Sequence, residues 1–278
     1  NKPFLRWTQS YGPFTGMINR YLAKKDLSHQ EVVFCRGDIT KETVEKLLPG
    51  KKVFSFPDVA TVLPYSKSDG IEHLKYKYGL AEKFVSISAS SKMYAQPENN
   101  RRLTKSYQDV VVNLCDYVSN EHDLSILMVP YSISPNNSNP KRNDLALAKL
   151  VASNCKASLA VIEEDLSPSL LKSIIAASHI HVGARYHSVV AALSSGVPCV
   201  SIAWHVKYKE IMAMYGMESL TWHFRQDRVE KLYASVSQVI EHASTIRAHL
   251  ERKQKNIQNL VEENTREFIK VLNKALKG

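Results

Sequence analysis

Apolar residues along this chain gather into short unbroken runs, separated by longer stretches whose apolar positions recur every three or four residues. The short runs read as buried parallel strands and the longer stretches as helices packed against them. In order, the pattern predicts a strand over 4–8, a helix over 17–25, a strand over 31–35, a helix over 40–48 and a strand over 53–56. Residues 64–79 carry no clean period and include Pro and Gly, so they read as a connection between two lobes. A second alternation follows: strand 84–88, helix 103–120 and strand 125–129, then a polar loop, SISPNNSNPKRND, over the crevice. It continues through helix 145–155, strand 157–162, helix 167–178, strand 179–183, helix 188–195 and strand 199–203. Such alternation indicates parallel sheets with helices on both faces. The chain then divides into a partial N-terminal α/β lobe (1–66), a connection (67–80), a C-terminal α/β lobe (81–225) and C-terminal helices (226–278). In the last part, Val229, Leu232, Val236, Val239 and Ile240 share one helical face.

Composition narrows the class. At 278 residues, 44% of them hydrophobic, each lobe can bury a core of its own. No run of about eighteen uncharged apolar residues occurs, which argues against a membrane span. The first residues lack the basic stretch and apolar core of a secretory signal, so a cytoplasmic protein is expected. Cys35, Cys115, Cys155 and Cys199 lie far apart in apolar surroundings, as buried reduced thiols do. His179 and His181 form an H-x-H pair with no third ligand near in sequence, so no metal is expected. The net charge of +10 calls for an acidic partner. Nucleic acid is not expected, because the basic residues are dispersed and no aromatic-interleaved motif accompanies them. The basic amphipathic stretch 251–277 reads as a solvated packing helix. Its alternative is a peripheral contact with an anionic membrane at the inner face.

The densest chemistry lies in HIHVGARYHSVVAALSSGVPCVSIAWHVK, residues 179–207. An apolar strand leads into Arg185, Tyr186 and His187, a short helix follows, and Lys207 emerges after the next strand. In such a strand–helix–strand unit the strand's C-terminal end lines a crevice, and the helix N-terminus offers free N–H groups to an anion. One pocket can thus hold a guanidinium, an imidazole and an ammonium.

The stretch GARYHSVVAALSSGVPCVSI with its downstream Lys resembles the core motif of the polysaccharide pyruvyl transferase family. TQSYGPF (8–14) is similar to that family's Q-S-x-G-P-F turn, and FCRGDIT (34–40) to its strand with an Arg-acidic pair. VFSFPDVATVLP (53–64) resembles its Pro-Asp element, and FVSISAS (84–90) the strand that opens its second half. The resemblance runs from about residue 8 to about residue 215. It implies an α/β fold of two Rossmann-like lobes of the glycosyltransferase-B type, the first lobe incomplete at its N-terminus because the family's glycine-rich opening does not precede Asn1.

The activity implied is transfer of pyruvate from phosphoenolpyruvate to two hydroxyls of a sugar, in a cell-surface polysaccharide or its lipid-linked precursor. Phosphoenolpyruvate is a co-substrate and no cofactor is implied. His187 is the natural general acid, since an imidazole changes charge near neutral pH and a bound dianion favours its charged form. The resemblance makes Arg36, His187 and Lys207 catalytic and places Arg185 and His187 on phosphoenolpyruvate, while Lys207 as a point charge and Arg36 from across the cleft complete a clamp on its anionic groups. Arg36 has an alternative as a structural partner of Asp38 or Glu42, and Lys209 is an alternative to Lys207. Many members carry Arg where Ser88 stands, and Lys92 from the same loop can stand in for it. Tyr186 either stacks on a sugar ring or fills the crevice, and Trp204 and His205 are acceptor contacts by their position beside Lys207. Asp144 is either a base for an acceptor hydroxyl or a helix cap. Two other readings compete: a glycosyltransferase of the same fold using a nucleotide sugar, and a degenerate glycan-binding protein.

Overall fold

The structure, a computed structural model, describes residues 5–66, 71–96 and 106–277. The first lobe runs α1 (Met17–Ser28), β1 (Val33–Cys35), α2 (Asp38–Leu47), β2 (Val53–Ser55). After the connection come α3 (Ile71–Tyr78), β3 (Phe84–Ser88), α4 (Ser91–Tyr94), α5 (Tyr107–His122), β4 (Ser125–Met128), α6 (Asp144–Asn154), β5 (Leu159–Val161) and α7 (Pro168–Ala177). The chain ends with β6 (Ile180–Gly183), α8 (Tyr186–Ser194), β7 (Cys199–Ala203), α9 (Val206–Met214), β8 (Thr221–His223), α10 (Val229–Glu241) and α11 (Ala243–Lys277).

The second lobe is one parallel sheet of six strands in the order β5-β4-β3-β6-β7-β8. The order reverses between β3 and β6, where a doubly wound sheet opens a crevice at its carboxyl edge. Alternate residues feed opposite cores: Val85, Ile87, Ile126 and Val182 pack on one face, Phe84, Leu127 and Ile174 on the other. In the first lobe β1 and β2 pair in parallel, Val33 beside Val53, with Tyr11, Leu27 and Val44 closing a small core.

The elements follow the sequence pattern with a few differences, the short helix α4 among them. No strand forms over residues 5–8; only Gln9 bridges to Cys35, and Thr8 adopts φ 29°. The rest of that stretch, and the start expected for the helix at 103, lie outside the described residues. The connection holds α3, whose Ile71, Leu74 and Tyr78 pack beneath β3 at helical spacing. Lys207 sits in the first turn of α9 rather than on a loop, and β8 adds a sixth strand.

Two devices join the lobes. The buried Glu210 carboxylate of α9 accepts from the N–H of Thr40 (2.6 Å) and its hydroxyl (3.0 Å), and so sits on the N-terminus of α2, where negative charge is favoured. Burial pushes the Glu210 carboxyl above its usual range, and the Thr40 donors partly offset this. Helix α11 spans 35 residues and runs from one lobe to the other. Leu250 and Ile257 join the second-lobe core, while Phe268 stacks on Trp7 (5.0 Å between centroids) and meets Phe34 edge-on. Val271 packs with Val32 and Phe56. The packing role expected of 251–277 is therefore its structural role. Cys35, Cys115 and Cys199 are buried free thiols, and Cys155 is half-buried. Among the described residues no helix is long and apolar enough to cross a membrane.

Gly37, with φ 125°, is what lets Glu210 reach α2: a Cβ there would lie 2.6 Å from the Glu210 carboxylate. Gly37→Ala is expected to cost about 1–3 kcal/mol in backbone strain alone. Urea unfolding measures it, with an unchanged midpoint counting against the lobe contact.

Candidate active site

The site begins with a buried histidine. His181 on β6 is inaccessible, and its ring bonds Ser86 Oγ on β3 (2.8 Å) and Ser188 Oγ on α8 (3.0 Å). Burial lowers its pKa to about 3, so the imidazole is neutral and acts as a strut. Gly183 allows the helix to close in, since a Cβ would sit 2.7 Å from Val189 and 2.9 Å from Ser188 Oγ. Together they fix where α8 starts, and hence where Arg185, Tyr186 and His187 project into the switch-point crevice.

Cations from both lobes meet there. Arg36, just after β1, stacks over the buried Tyr186 ring with its guanidinium carbon 4.4 Å from the centroid. Lys207 Nζ lies 5.3 Å from the same ring, 5.4 Å from Trp204 and 5.6 Å from Tyr208, an aromatic setting that suits an ammonium. Burial, then the charges of Arg36, Lys92 and Arg185, pull the Lys207 pKa down to about 8, with Asp58 opposing them. Lys92, exposed on α4, therefore joins the cluster. Lys209 is exposed on the other side of the turn.

Asp58 is the anion among these cations, and the sequence reading did not single it out. It is buried, its Oδ1 accepts from the N–H of Ala60 (2.9 Å), and its Oδ2 pairs with Arg36 Nη1 and lies 3.7 Å from His187 Nε2. Burial alone would raise its pKa, but the His187 ring, the Arg36 guanidinium and the Ala60 N–H outweigh that and hold it at about 2. The signal was present in the Pro57-Asp58 element after β2, which places a carboxylate at the carboxyl edge of a strand facing the second lobe. Asp58, rather than Asp38 or Glu42, is thus the partner of Arg36, and Ser10 Oγ accepts from Arg36 Nε at 3.3 Å.

Several expected roles change. Arg185 does not present a free fork. Its Nε and Nη2 reach Asp144 at 2.7 and 2.5 Å, and Nη2 also reaches Ser91 Oγ, which leaves Nη1 for an anion. Asp144, with a fully buried side chain, is neither base nor cap. It holds Arg185 and accepts from the N–H groups of Ser91 (2.9 Å) and Ser132 (2.9 Å), while Asn143 caps α6. Ser88 is buried, and its hydroxyl donates to the Val129 carbonyl at 2.9 Å. Tyr186 is buried and fills the crevice beneath Arg36 and Lys207. Trp204 donates to Tyr208 (2.9 Å), and His205 caps α9 by accepting from the Lys207 N–H (3.3 Å), so both shape the pocket of Lys207. His187, by contrast, has 60% of its side chain exposed. Among the described residues no cluster suits a metal ion.

A half-exposed imidazole beside a buried carboxylate, facing cations with few counter-charges, is equipped to bind a compact polyanion and pass it a proton. The family model for polysaccharide pyruvyl transferase matches residues 1–206. No curated protein matches the sequence. Among solved structures, the chain is similar to a UDP-forming α,α-trehalose-phosphate synthase from Burkholderia vietnamiensis, at 10% identity and TM-score 0.63, covering 95% of this chain and 66% of that one. It is also similar to a sucrose-phosphate synthase from Thermosynechococcus elongatus (13% identity, TM-score 0.61, 94% and 62% covered). A third likeness is to UDP-GlcNAc 2-epimerase from Methanocaldococcus jannaschii in complex with UDP-GlcNAc and UDP (15%, TM-score 0.55, 80% and 57%). At these identities the likeness fixes the fold, which is the glycosyltransferase-B type, and the chain spans about three-fifths of the length of these neighbours.

Because Asp144 is the buried mate of Arg185, Asp144→Ala strands a guanidinium and the N–H groups of Ser91, Tyr131 and Ser132. Thermal unfolding is expected to show a loss of about 3–5 kcal/mol, and a loss under about 1 kcal/mol contradicts the pairing.

Proposed function

The chain belongs to the polysaccharide pyruvyl transferase family, and we propose that it transfers pyruvate from phosphoenolpyruvate to two hydroxyls of one sugar, forming a ketal and releasing phosphate. The observation that carries this reading is the convergence of Arg36, Lys92, Arg185 and Lys207 on the crevice that also holds His187. Phosphoenolpyruvate brings a phosphate and a carboxylate on a three-carbon skeleton. Lys207, with the N–H groups that Arg36 and Arg185 keep free, offers matching positive charge from both lobes.

In the scheme, His187 gives its proton to the methylene carbon of phosphoenolpyruvate, whose double-bond electrons form the new C–H bond and leave a cationic C2. A sugar hydroxyl adds to C2 and loses its proton to the site. The C2–O bond to phosphate then breaks, phosphate leaves with the bonding electrons, and the second hydroxyl closes the ring. Of the two hydroxyl protons displaced, one replaces that given by His187 and the other leaves with phosphate. Asp58 supports the imidazolium and keeps Arg36 in place, and the scheme needs no further cofactor. Two of the neighbours named above are a UDP-forming synthase and an epimerase in complex with UDP-GlcNAc and UDP, which keeps a nucleotide-sugar transferase as the contrasting reading.

Three measurements decide. Phosphoenolpyruvate is expected to raise the melting temperature and UDP-sugars are not; stabilisation by UDP-sugars alone supports the contrasting reading. His187→Ala is expected to slow phosphate release, measured with a panel of glycan acceptors, by about 10²- to 10⁴-fold. Parent-like release removes the acid. Because Lys207 titrates near 8, phosphoenolpyruvate affinity should fall as pH rises above that value. Lys207→Arg should keep its affinity to about pH 10, as a guanidinium stays charged.

A further inference from the structure

Helix α1 is apolar on two sides. Ala23 and Leu27 turn inward and pack with Val33 and Val44 in the first-lobe core, as the buried face of a surface helix does. The opposite side carries Met17, Ile18, Tyr21 and Leu22, which are 90%, 76%, 65% and 55% exposed. Their spacing sets them on one arc of the helix, facing away from the core. None of the four joins a core cluster among the described residues, and neighbouring exposed side chains of this size mark a contact surface.

Charge decides what that surface fits. Arg20, Lys24 and Lys25 border or interrupt the arc; all three are exposed, and no carboxylate pairs with them among the described residues. The acidic residue of α1, Asp26, is paired with Arg6. Beside the helix, Arg20 and Lys46 line a cleft of about 180 Å3 with Phe14, Thr43 and Leu47. Across it on α2, Glu42 lies 3.6 Å from Lys46 and Glu45 lies 3.9 Å from Lys41, so a lysine matches each of these carboxylates and Arg20 keeps its charge for a ligand. A second copy docked face to face would set the three cations of α1 against the same three. Nucleic acid would use the cations and leave the apolar side chains in water. An anionic bilayer uses both: acyl chains receive Met17, Ile18 and Leu22, the headgroup layer suits the Tyr21 ring, and lipid phosphates meet the cations.

We propose that α1 docks on an anionic phospholipid surface, with Met17, Ile18, Tyr21 and Leu22 at the acyl boundary and Arg20, Lys24 and Lys25 among the phosphates. The surface is separate from the basic stretch 251–277, which packs against both lobes, and it does not depend on the pyruvyl-transfer reading. It stands next to the crevice. Ser10, which accepts from Arg36, lies in the turn that leads through Gly12 and Gly16 into α1, and the Gly12 backbone lies against His205. A docked α1 therefore holds the crevice near the lipid boundary.

The test is sedimentation of the protein with vesicles of phosphatidylcholine alone or mixed with phosphatidylglycerol. Binding to the mixed vesicles is expected to be at least tenfold stronger than to phosphatidylcholine and to weaken as salt is raised. Ile18→Ser with Leu22→Ser, and separately Lys24→Glu with Lys25→Glu, should each weaken it at least tenfold; because all four positions are exposed, the melting temperature should stay that of the parent. Arg252→Glu with Lys255→Glu, at exposed positions of α11, should leave binding unchanged. Absence of binding to either vesicle, or binding that survives both pairs of α1 substitutions, overturns the proposal. Loss of binding through the α11 pair with the α1 pairs silent overturns it too, and assigns the membrane contact to 251–277. A dimer that the Ile18→Ser, Leu22→Ser pair dissociates, in a protein that no vesicle sediments, gives the face to a second copy instead.

Discussion

Positive charges packed into one crevice repel each other, and the site is organised around containing that repulsion. Lys207 shows it most directly: burial and three neighbouring cations bring its pKa from 10.5 to about 8. The protein answers with electron-rich surfaces more than with carboxylates. Tyr186, Trp204 and Tyr208 face the ammonium with their rings, and Tyr186 is shared with Arg36. Asp58 and Asp144 are buried carboxylates, and each is assigned to one guanidinium. Positive potential is thus retained for a ligand, at a cost in the free protein that a bound dianion would relieve.

The same arrangement explains why both lobes are needed. Arg36 and Asp58 follow first-lobe strands, whereas Arg185, His187 and Lys207 follow strands of the second sheet. A shift of either lobe would separate the Asp58 carboxylate from His187. Glu210 on α2 and the long helix α11 oppose such a shift from different directions, one by a polar contact at a helix end and the other by apolar packing against both cores.

The alternation of strands and helices was legible because parallel strands buried on both faces read as unbroken apolar runs; β3 and β7 are buried along their whole length. The connection was misread because α3 is only eight residues long and shows three apolar contacts to the core, too few to stand out among lysines. At the site, Arg36, Arg185, His187 and Lys207 could be read from their places after strands. What periodicity could not supply was partner choice across the chain. Arg185 is 41 residues from Asp144, and Arg36 is 22 from Asp58. Asp144 therefore read as a base or a helix cap, and Asp58 was not singled out, although both are the mates of cations.

The uncharged strut at His181 has one more consequence. Because that ring ionises only near pH 3, it stays electrically silent across the range in which an exposed imidazole gains and loses a proton. It stands six positions before His187 in sequence, and both belong to the same strand-to-helix joint. The mount therefore keeps one charge state across that range, and the joint that aims His187 does not depend on the ionisation of its own strut.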